Sequence, residues 1–217
     1  MKKLEITKRT KVNQLPKRAF YETEVIFKIL DEAFVCQIAF DLEGHVNIIP
    51  TLYGRKNNMI FIHGSKKSRM LKSFLSGKDI CVSVTIVDGL VLARSAFHHS
   101  INYRSVIIFG KPEEIIDKKE KTNALETIME RIIPGRWNEI RKPNEKELNM
   151  TSVFSLRIDE ASAKVRSGPP ADDKDDLNLN IWAGVIPFKI ITSSPVKDSS
   201  LNDGIILPTY IKNLMRE

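Results

Sequence analysis

Apolar residues near the start of the chain follow first the period of a helix and then that of a strand. Between residues 25 and 33 they recur every three or four positions, so they share one face of a helix. Between residues 34 and 40 every second residue, including Cys36 and Ile38, is apolar. The pattern predicts one helix followed directly by one β-strand.

Turn residues divide the next apolar runs into a meander of strands. Residues 41–44 and the pair Asn57-Asn58 are typical of turns, and they separate apolar runs at 46–53 and 59–63. Further strands are predicted at 80–87, 103–110, 153–158, 162–165 and 181–188. Further helices are predicted after Ser65, at 117–133 and after Asn144. The acidic residues at 172–176 are predicted to form a solvated loop.

Consecutive strands joined by short turns favour one type of architecture. With few helices between them, the strands indicate an antiparallel sheet or barrel with peripheral helices, and not a doubly wound parallel sheet. The chain is therefore expected to be mainly β, of the α+β class. We divide it into an N-terminal arm (residues 1–20), a β-domain (21–190) and a C-terminal extension (191–217).

Composition indicates a soluble globular protein. Of the 217 residues, 42% are hydrophobic and 28% are charged, and no apolar run approaches the ~20 residues that span a bilayer. The N-terminus lacks the apolar core of a signal peptide, so the cytoplasm is expected and no membrane partner is. Cys36 and Cys81 lie in apolar runs and are expected to be core residues, with no disulfide and no metal site.

The net charge of +7 is compatible with nucleic acid, a membrane surface or a phosphorylated ligand. The basic residues are spread along the chain among acidic ones, and no zinc finger or aromatic RNA-binding signature is present. A phosphate ligand is the more economical explanation, and nucleic acid is not expected as a partner.

One corner of the sequence fits a phosphate best. The predicted strand 59–63 runs through Gly64 and Ser65 into a basic helix that carries Lys66, Lys67, Ser68 and Arg69. A helix that follows a strand directly has unpaired N–H groups at its start, and these attract anions. The alternative is a solvated turn before an ordinary basic helix. Neither a Rossmann fingerprint nor a P-loop motif occurs in the sequence.

The order of several motifs resembles a known family. The runs 48–53, 60–65 and 68–69, followed by 103–106 and 109–111, resemble the FMN-binding split β-barrel family related to pyridoxamine 5'-phosphate oxidase. Within that family the chain is most similar to the branch near the nitroimidazole resistance (nitroreductase-like) proteins, whose flavoprotein members resemble the runs 88–100, 161–166, 168–170 and 182–185. The resemblance covers roughly residues 10 to 190.

The resemblance implies a six-stranded antiparallel split β-barrel that binds FMN at the interface of a homodimer. It places the backbone of one strand along the isoalloxazine ring, the end of the next strand beneath the ribityl chain, and the basic corner at the phosphate. It also places a polar pair beneath the flavin and an aromatic residue near it. The strand along the ring is Ile48, Ile49, Pro50 and Thr51, and the strand end beneath the ribityl chain is Ile62, His63 and Gly64. The phosphate would be bound by Ser65, Ser68 and Arg69, with Lys66 or Lys67 assisting. The polar pair is Arg104 and Ser105, and the aromatic residue is Trp182. Where the oxidase has a further lysine, this chain has Met70, so one phosphate cation is missing.

Catalytic residues are less clearly marked. The candidates are His63 at the corner, His98 in the irregular segment 88–102, and Tyr103 at the start of the strand at 103–110. Each also has a structural alternative, as a hydrogen-bonded barrel-end or loop residue. His98 and His99 are adjacent and should point to opposite sides, so they are not expected to share a metal ion.

The leading hypothesis for function is an FMN-dependent oxidoreductase. A reduced nicotinamide, NADH or NADPH, or another donor would reduce the flavin, which would then reduce a small-molecule acceptor. A non-catalytic flavin or haem carrier or sensor is the alternative from another class. A nucleic-acid-binding barrel is a third possibility, and the missing aromatic stacking platform argues against it.

Overall fold

The computed structural model describes residues 2–214, and strands dominate this part of the chain. Seven longer strands and three short ones form the sheet. The strands are β1 (Ala19–Phe20), β2 (Val35–Leu42), β3 (His45–Lys56), β4 (Met59–Ser65), β5 (Ile80–Leu92), β6 (Ser100–Gly110), β7 (Glu113–Glu114), β8 (Thr151–Arg157), β9 (Glu160–Arg166) and β10 (Gly184–Pro187). The α-helices are α1 (Thr23–Glu32), α2 (Arg69–Phe74), α3 (Lys118–Ile132), α4 (Glu145–Met150) and α5 (Thr209–Leu214).

The strands form one antiparallel sheet in the order β1-β9-β6-β5-β2-β3-β4-β8-β7, and β10 pairs with β5 beside this path. β2, β3 and β4 are joined by hairpins, as the turn residues predict. The expectation of an antiparallel split barrel with peripheral helices is confirmed. Pairing extends further than the hydrophobic pattern indicates, since β5 continues to Leu92 through a segment expected to be irregular.

Alternate residues of the strands fill the core. Ile60 and Ile62 of β4 are fully buried, and the ring of Phe74 from α2 contacts the rings of Phe40 and Phe154 edge-on, with centroids 6.4 and 5.2 Å away. Such edge-to-face pairs contribute about 0.5–1.5 kcal/mol beyond area burial. The position of α2 is therefore fixed from the core side. The helix expected directly after Ser65 starts only at Arg69, so residues 66–68 connect β4 to α2.

Cys36 is fully buried, as expected, and burial raises the pKa of its thiol to about 12. Cys81 is half-buried, and both cysteines are free.

Helix α3 lies on the outer face of β3 and β4. A Cβ on Gly54 would lie 2.7 Å from the Cα of Ile128, so the helix backbone touches the strand backbone. Only glycine permits this approach.

The N-terminal segment packs along the sheet. The amide of Leu4 donates to the carbonyl of Tyr21 at 2.9 Å, and Arg9 forms ion pairs with Asp79 and Glu160. At the other end, Tyr210 of α5 donates to Glu139 at 2.7 Å. The division into arm, β-domain and extension stays a prediction.

Candidate functional site

The predicted corner between β4 and α2 is formed by side chains that cap their own turn. The hydroxyl of Ser68 accepts a hydrogen bond from the amide of Leu71 at 3.5 Å, and that of Ser65 accepts from the amide of Lys67 at 3.2 Å. Each hydroxyl proton remains available to donate. Because α2 has six residues, its dipole contributes less to anion binding than the sequence argument assumes.

Positive charge is concentrated at this corner. Lys66, Lys67 and Arg69 are exposed, and none of their three charged side chains forms an ion pair or a hydrogen bond with a described residue. Two serine hydroxyls and three free cations are a donor set that suits a phosphate dianion.

The adjacent strand β3 has a free edge. Residues 45–52 pair with β2, whereas the ladder to β4 begins only at Tyr53. Ile48, Ile49 and Pro50 are exposed, and Thr51 is half-buried opposite Cys36. On the side away from β2, the backbone groups of this segment therefore have no strand partner among the described residues, and they can bind the polar edge of a ligand.

His63 lies on the face of β4 opposite the core. It follows Ile62, which is fully buried, and precedes Gly64. Its Nδ1 is buried, and no group in residues 2–214 hydrogen-bonds to it. Burial lowers the pKa of His63. Near neutral pH the ring is therefore uncharged, with an unsatisfied nitrogen. A Cβ on Gly64 would lie 3.0 Å from Leu71 Cδ1, so the strand end packs closely on α2.

Arg104 and Ser105 of β6 have partners of their own. The Arg104 guanidinium binds the carboxylates of Asp88 and Glu32, and the Ser105 hydroxyl donates to the carbonyl of Lys164 at 3.3 Å. The hydrogen bonds from Arg104 lower the pKa of Glu32. Either side chain could contact a cofactor only in addition to these bonds or by breaking them.

The other candidates lie around the β5–β6 hairpin. Tyr103 is half-buried in β6, opposite Val87 and Arg166. The Nε2 atom of His98 is 3.1 Å from a carboxylate oxygen of Asp173, at an angle that makes no hydrogen bond. Trp182 is 67% exposed and precedes β10, which starts at Gly184, three residues later than the predicted strand at 181–188.

The structure thus brings together only part of the predicted set. β3 and β4 are neighbours, so residues 48–51 and the corner at 62–69 belong to one region. β6, which carries Tyr103, Arg104 and Ser105, is separated from β4 by three strands in the sheet, and Trp182 lies beside β10. Within one chain these form two separate groups.

Sequence reasoning missed a polar cluster at the hairpin. Asp172, expected in a solvated loop, has a side chain only 2% exposed, and it accepts bonds of 2.8 Å from both the amide and the guanidinium of Arg94. Burial alone would raise the pKa of Asp172, and these hydrogen bonds from Arg94 lower it. Arg166 is buried too, and it binds Asn102 and the carbonyl of Pro169. The sequence did contain a signal for a turn here, Gly168-Pro169-Pro170, which could have predicted that the following loop folds back onto the hairpin.

A membrane-spanning segment and a metal site were both expected to be absent. Among residues 2–214, no helix is both long and apolar enough to cross a bilayer. In the same part of the chain, no three His, Cys, Asp or Glu side chains are grouped so that they could hold a metal ion. The expected cytoplasmic location stays a prediction.

Comparison with known proteins identifies relatives. The family model described as pyridoxamine 5'-phosphate oxidase matches residues 22–165. The flavocytochrome Anf3 from Azotobacter vinelandii is 36% identical, with a TM-score of 0.91 over 95% of this chain and 96% of that one. The FAD and haem binding protein from Mycobacterium smegmatis is 33% identical, with a TM-score of 0.87 over 91% of this chain and 97% of that one.

A protein assigned to 5-nitroimidazole antibiotic resistance, from Bacteroides thetaiotaomicron, shares the fold at 22% identity. Its TM-score is 0.58 over 68% of this chain and 86% of that one. No curated protein matches the chain. The family model covers most of the chain, and the two most similar of these structures span nearly all of it, which confirms the resemblance found in the sequence. The chain belongs to the pyridoxamine 5'-phosphate oxidase family.

Proposed function

We propose that this chain is a flavoprotein that binds FMN and acts as an oxidoreductase. The observation that carries the proposal is the free edge of β3 at residues 48–51, beside a corner whose three cations have no ion-pair partner among residues 2–214. A flavin mononucleotide needs partners for the polar edge of a flat ring and for a phosphate, and this region offers both.

The residues divide into two roles. Ser65, Ser68 and Arg69, with Lys66 or Lys67, would bind the phosphate through charge-assisted hydrogen bonds. The backbone of residues 48–51 would bind the ring edge and orient it. When bound, the flavin supplies the transfer of hydride or electrons, so this chain needs no nucleophile of its own.

An electron donor and an acceptor complete the proposed reaction. We expect NADH or NADPH as donor and a small molecule as acceptor. His63 is the first candidate for contact with the donor or the acceptor. Its ring is neutral, its Nδ1 has no hydrogen-bond partner in residues 2–214, and it directly precedes the corner that starts at Gly64. His98 and Tyr103 are candidates only if a second subunit brings the hairpin to the flavin.

A homodimer is the proposed assembly, with the flavin at the interface. One row of directly paired residues crosses four neighbouring strands: Pro50 in β3, Gln37 in β2, Ser83 in β5 and Ile107 in β6. Ile107 is 38% exposed, and Ile48, on the same side of β3 as Pro50, is 64% exposed. An exposed sheet face of this composition is suited to a second copy. Sedimentation of the Ile107→Glu variant as a monomer, beside a dimeric wild type, would support this assembly.

The test of flavin binding is a titration of the full chain with FMN and FAD, followed by fluorescence. We expect FMN to bind, and Arg69→Ala to weaken it by roughly 10-fold or more, since a charged hydrogen bond is worth about 1.5–3 kcal/mol. Lys72→Ala, one turn further along α2, is the matched control and should leave the affinity unchanged. If neither flavin binds, the proposal fails. If FMN binds equally well to Arg69→Ala, the phosphate assignment alone fails.

Haem is a second candidate cofactor, and FAD is a second candidate flavin. The relative from Mycobacterium smegmatis is named for both FAD and haem, and the other similar protein is named a flavocytochrome. These names favour a carrier or electron-transfer role alongside the enzyme proposal. NADPH oxidation in the presence of the loaded chain and an acceptor such as a quinone or a nitroaromatic would favour turnover.

A further inference from the structure

Helix α3 carries a buried lysine that has no role in the proposed flavin site so far. Lys121 is only 6% exposed, although a lysine is almost never fully buried unless it is paired. Its ammonium donates to the carbonyl oxygens of Leu148 at 3.4 Å and of Thr151 at 3.1 Å. No carboxylate in residues 2–214 forms an ion pair with it. The protein therefore keeps a positive charge in its interior, held by two neutral acceptors.

The two carbonyls belong to the junction between α4 and β8. Helix α4 ends at Met150, and β8 begins at Thr151. The last carbonyls of a helix have no partner within the helix, and a lysine side chain can satisfy them. The Lys121 ammonium therefore closes the C-terminal end of α4 and at the same time holds the first residue of β8.

This junction in turn holds the phosphate corner. Thr151 pairs directly with Ser65, and the amide of Lys66 donates to the carbonyl of Met150 at 3.0 Å. Ser65 is the last residue of β4, and residues 66–68 then lead into α2. The start of the corner is thus bonded to the same short segment that the Lys121 ammonium holds in place.

Helix α3 also lies on the side of the sheet to which the Ser65 side chain points. A Cβ on Gly54 would point at the backbone of Ile128 in α3, and Gly54 pairs directly with Phe61. Directly paired residues share one side of a sheet, as do alternate residues of one strand, so Phe61 and Ser65 both point toward α3. From Ile128 back to Lys121 the helix rises about 10.5 Å, and from Phe61 to Ser65 the strand rises about 13 Å. Lys121 therefore lies close to the level of Ser65, on the same side of the sheet.

We propose that Lys121 is a positioning residue for the phosphate site at the corner. Its ammonium fixes the α4–β8 junction, and the junction fixes Ser65 and Lys66 in the arrangement that binds the phosphate. This assignment rests on the proposed binding of FMN. It also places a buried positive charge near a corner that lacks one cation at Met70. Salt screens a buried charge less than an exposed one.

The experiment is a pair of titrations of the full chain, one with FMN and one with riboflavin, which is FMN without its phosphate. Lys121→Met keeps an unbranched apolar stem and removes the ammonium. We expect it to weaken FMN binding by roughly 10-fold, the effect of about one charged hydrogen bond, and to leave riboflavin binding unchanged. Lys119→Met removes the same charge from an exposed position of α3, so it is the matched control and should bind both flavins like the wild type.

A second variant and a second measurement complete the test. Lys121→Gln can still donate to a carbonyl but is shorter and uncharged, and it should show the same selective loss of FMN, smaller in size. It replaces Lys121→Met if that variant does not fold. Without flavin, the amide of Lys66 should exchange its hydrogen faster in both Lys121 variants than in Lys119→Met, because its acceptor is the carbonyl of Met150 at the loosened junction.

The outcomes separate the assignment from the function on which it rests. If the wild type binds neither flavin, the proposed function and the Lys121 assignment both fail. If the wild type binds riboflavin as tightly as FMN, flavin binding stands, but the phosphate corner and Lys121 both lose their roles. If the Lys121 variants bind FMN like the wild type, or lose FMN and riboflavin equally, only the Lys121 assignment fails. A selective loss of FMN with unchanged exchange at Lys66 would overturn the positioning role, because the charge alone would then account for the loss.

Discussion

Arg104 binds Asp88 through two parallel hydrogen bonds, with Nε 2.8 Å from Oδ2 and Nη2 2.6 Å from Oδ1. The same guanidinium also binds Glu32, at 2.7 Å from Nη2 to Oε1. This one side chain links α1, β5 and β6. A residue expected beneath a flavin is thus also a structural crosslink.

Arg104→Ala should lower the free energy of unfolding by about 1–2 kcal/mol near neutral pH, because both pairs are partly exposed and screened. Arg104 lowers the pKa of Glu32, so this stability is present above the ordinary carboxyl pKa and is lost as the pH falls through the folded value. Urea unfolding near pH 7 and in acid measures the difference. Arg157→Ala removes an exposed pair with Asp159 and is the control. Equal losses in the two variants would contradict the prediction.

His63 should make the stability of the apoprotein fall in mild acid. Burial lowers its folded pKa, so the unfolded chain takes up a proton first as the pH drops below about 6.5. The stabilisation is complete above that value and is lost as the pH falls toward the folded pKa. Urea unfolding from pH 8 to pH 5 should show a smaller decline in His63→Leu than in the wild type. His45→Ala, at an exposed site, should follow the wild type, and a parallel decline in all three would refute the assignment.

Gly54→Ala should destabilise the protein by about 1–3 kcal/mol or more, because the new methyl group meets the backbone of Ile128 at 2.7 Å and displaces α3. Thermal unfolding measures the effect. Gly64→Ala is the matched control, since its methyl group meets only the movable end of Leu71, at 3.0 Å. A smaller effect at Gly54 than at Gly64 would show that α3 is not seated as described.

Asp172→Asn should release the loop at residues 168–176 from the hairpin. The carboxylate accepts from both the amide and the guanidinium of Arg94, whereas an asparagine has one acceptor oxygen and would turn an NH2 group toward one of these donors. The amide of Arg94 should therefore exchange its hydrogen faster in the variant, as measured by hydrogen–deuterium exchange. Asp173→Asn, whose side chain is 78% exposed, is the control and should not change the exchange. Unchanged exchange in Asp172→Asn would mean that the loop is held by other contacts.

Local signals in the sequence were sufficient where both partners are close in the chain. Asn144 and Glu147 form the capping box that their spacing predicts, with bonds of 2.9 and 2.8 Å. Asp117 likewise marks the start of α3, as the sequence predicts. The alternation of buried residues in β2 and β4 likewise follows directly from the period of a strand.

The sequence by itself determined the antiparallel class, the hairpins, the starts of α3 and α4 and the family, because these depend on periodicity, turns, local caps and motif order. Only the tertiary structure decided which charged side chains form ion pairs and which do not. Arg104 meets a carboxylate 72 positions away and Arg94 one 78 positions away, whereas Arg69 meets none among the described residues. No local pattern encodes such pairings, because they depend on how the sheet places distant strands and loops side by side.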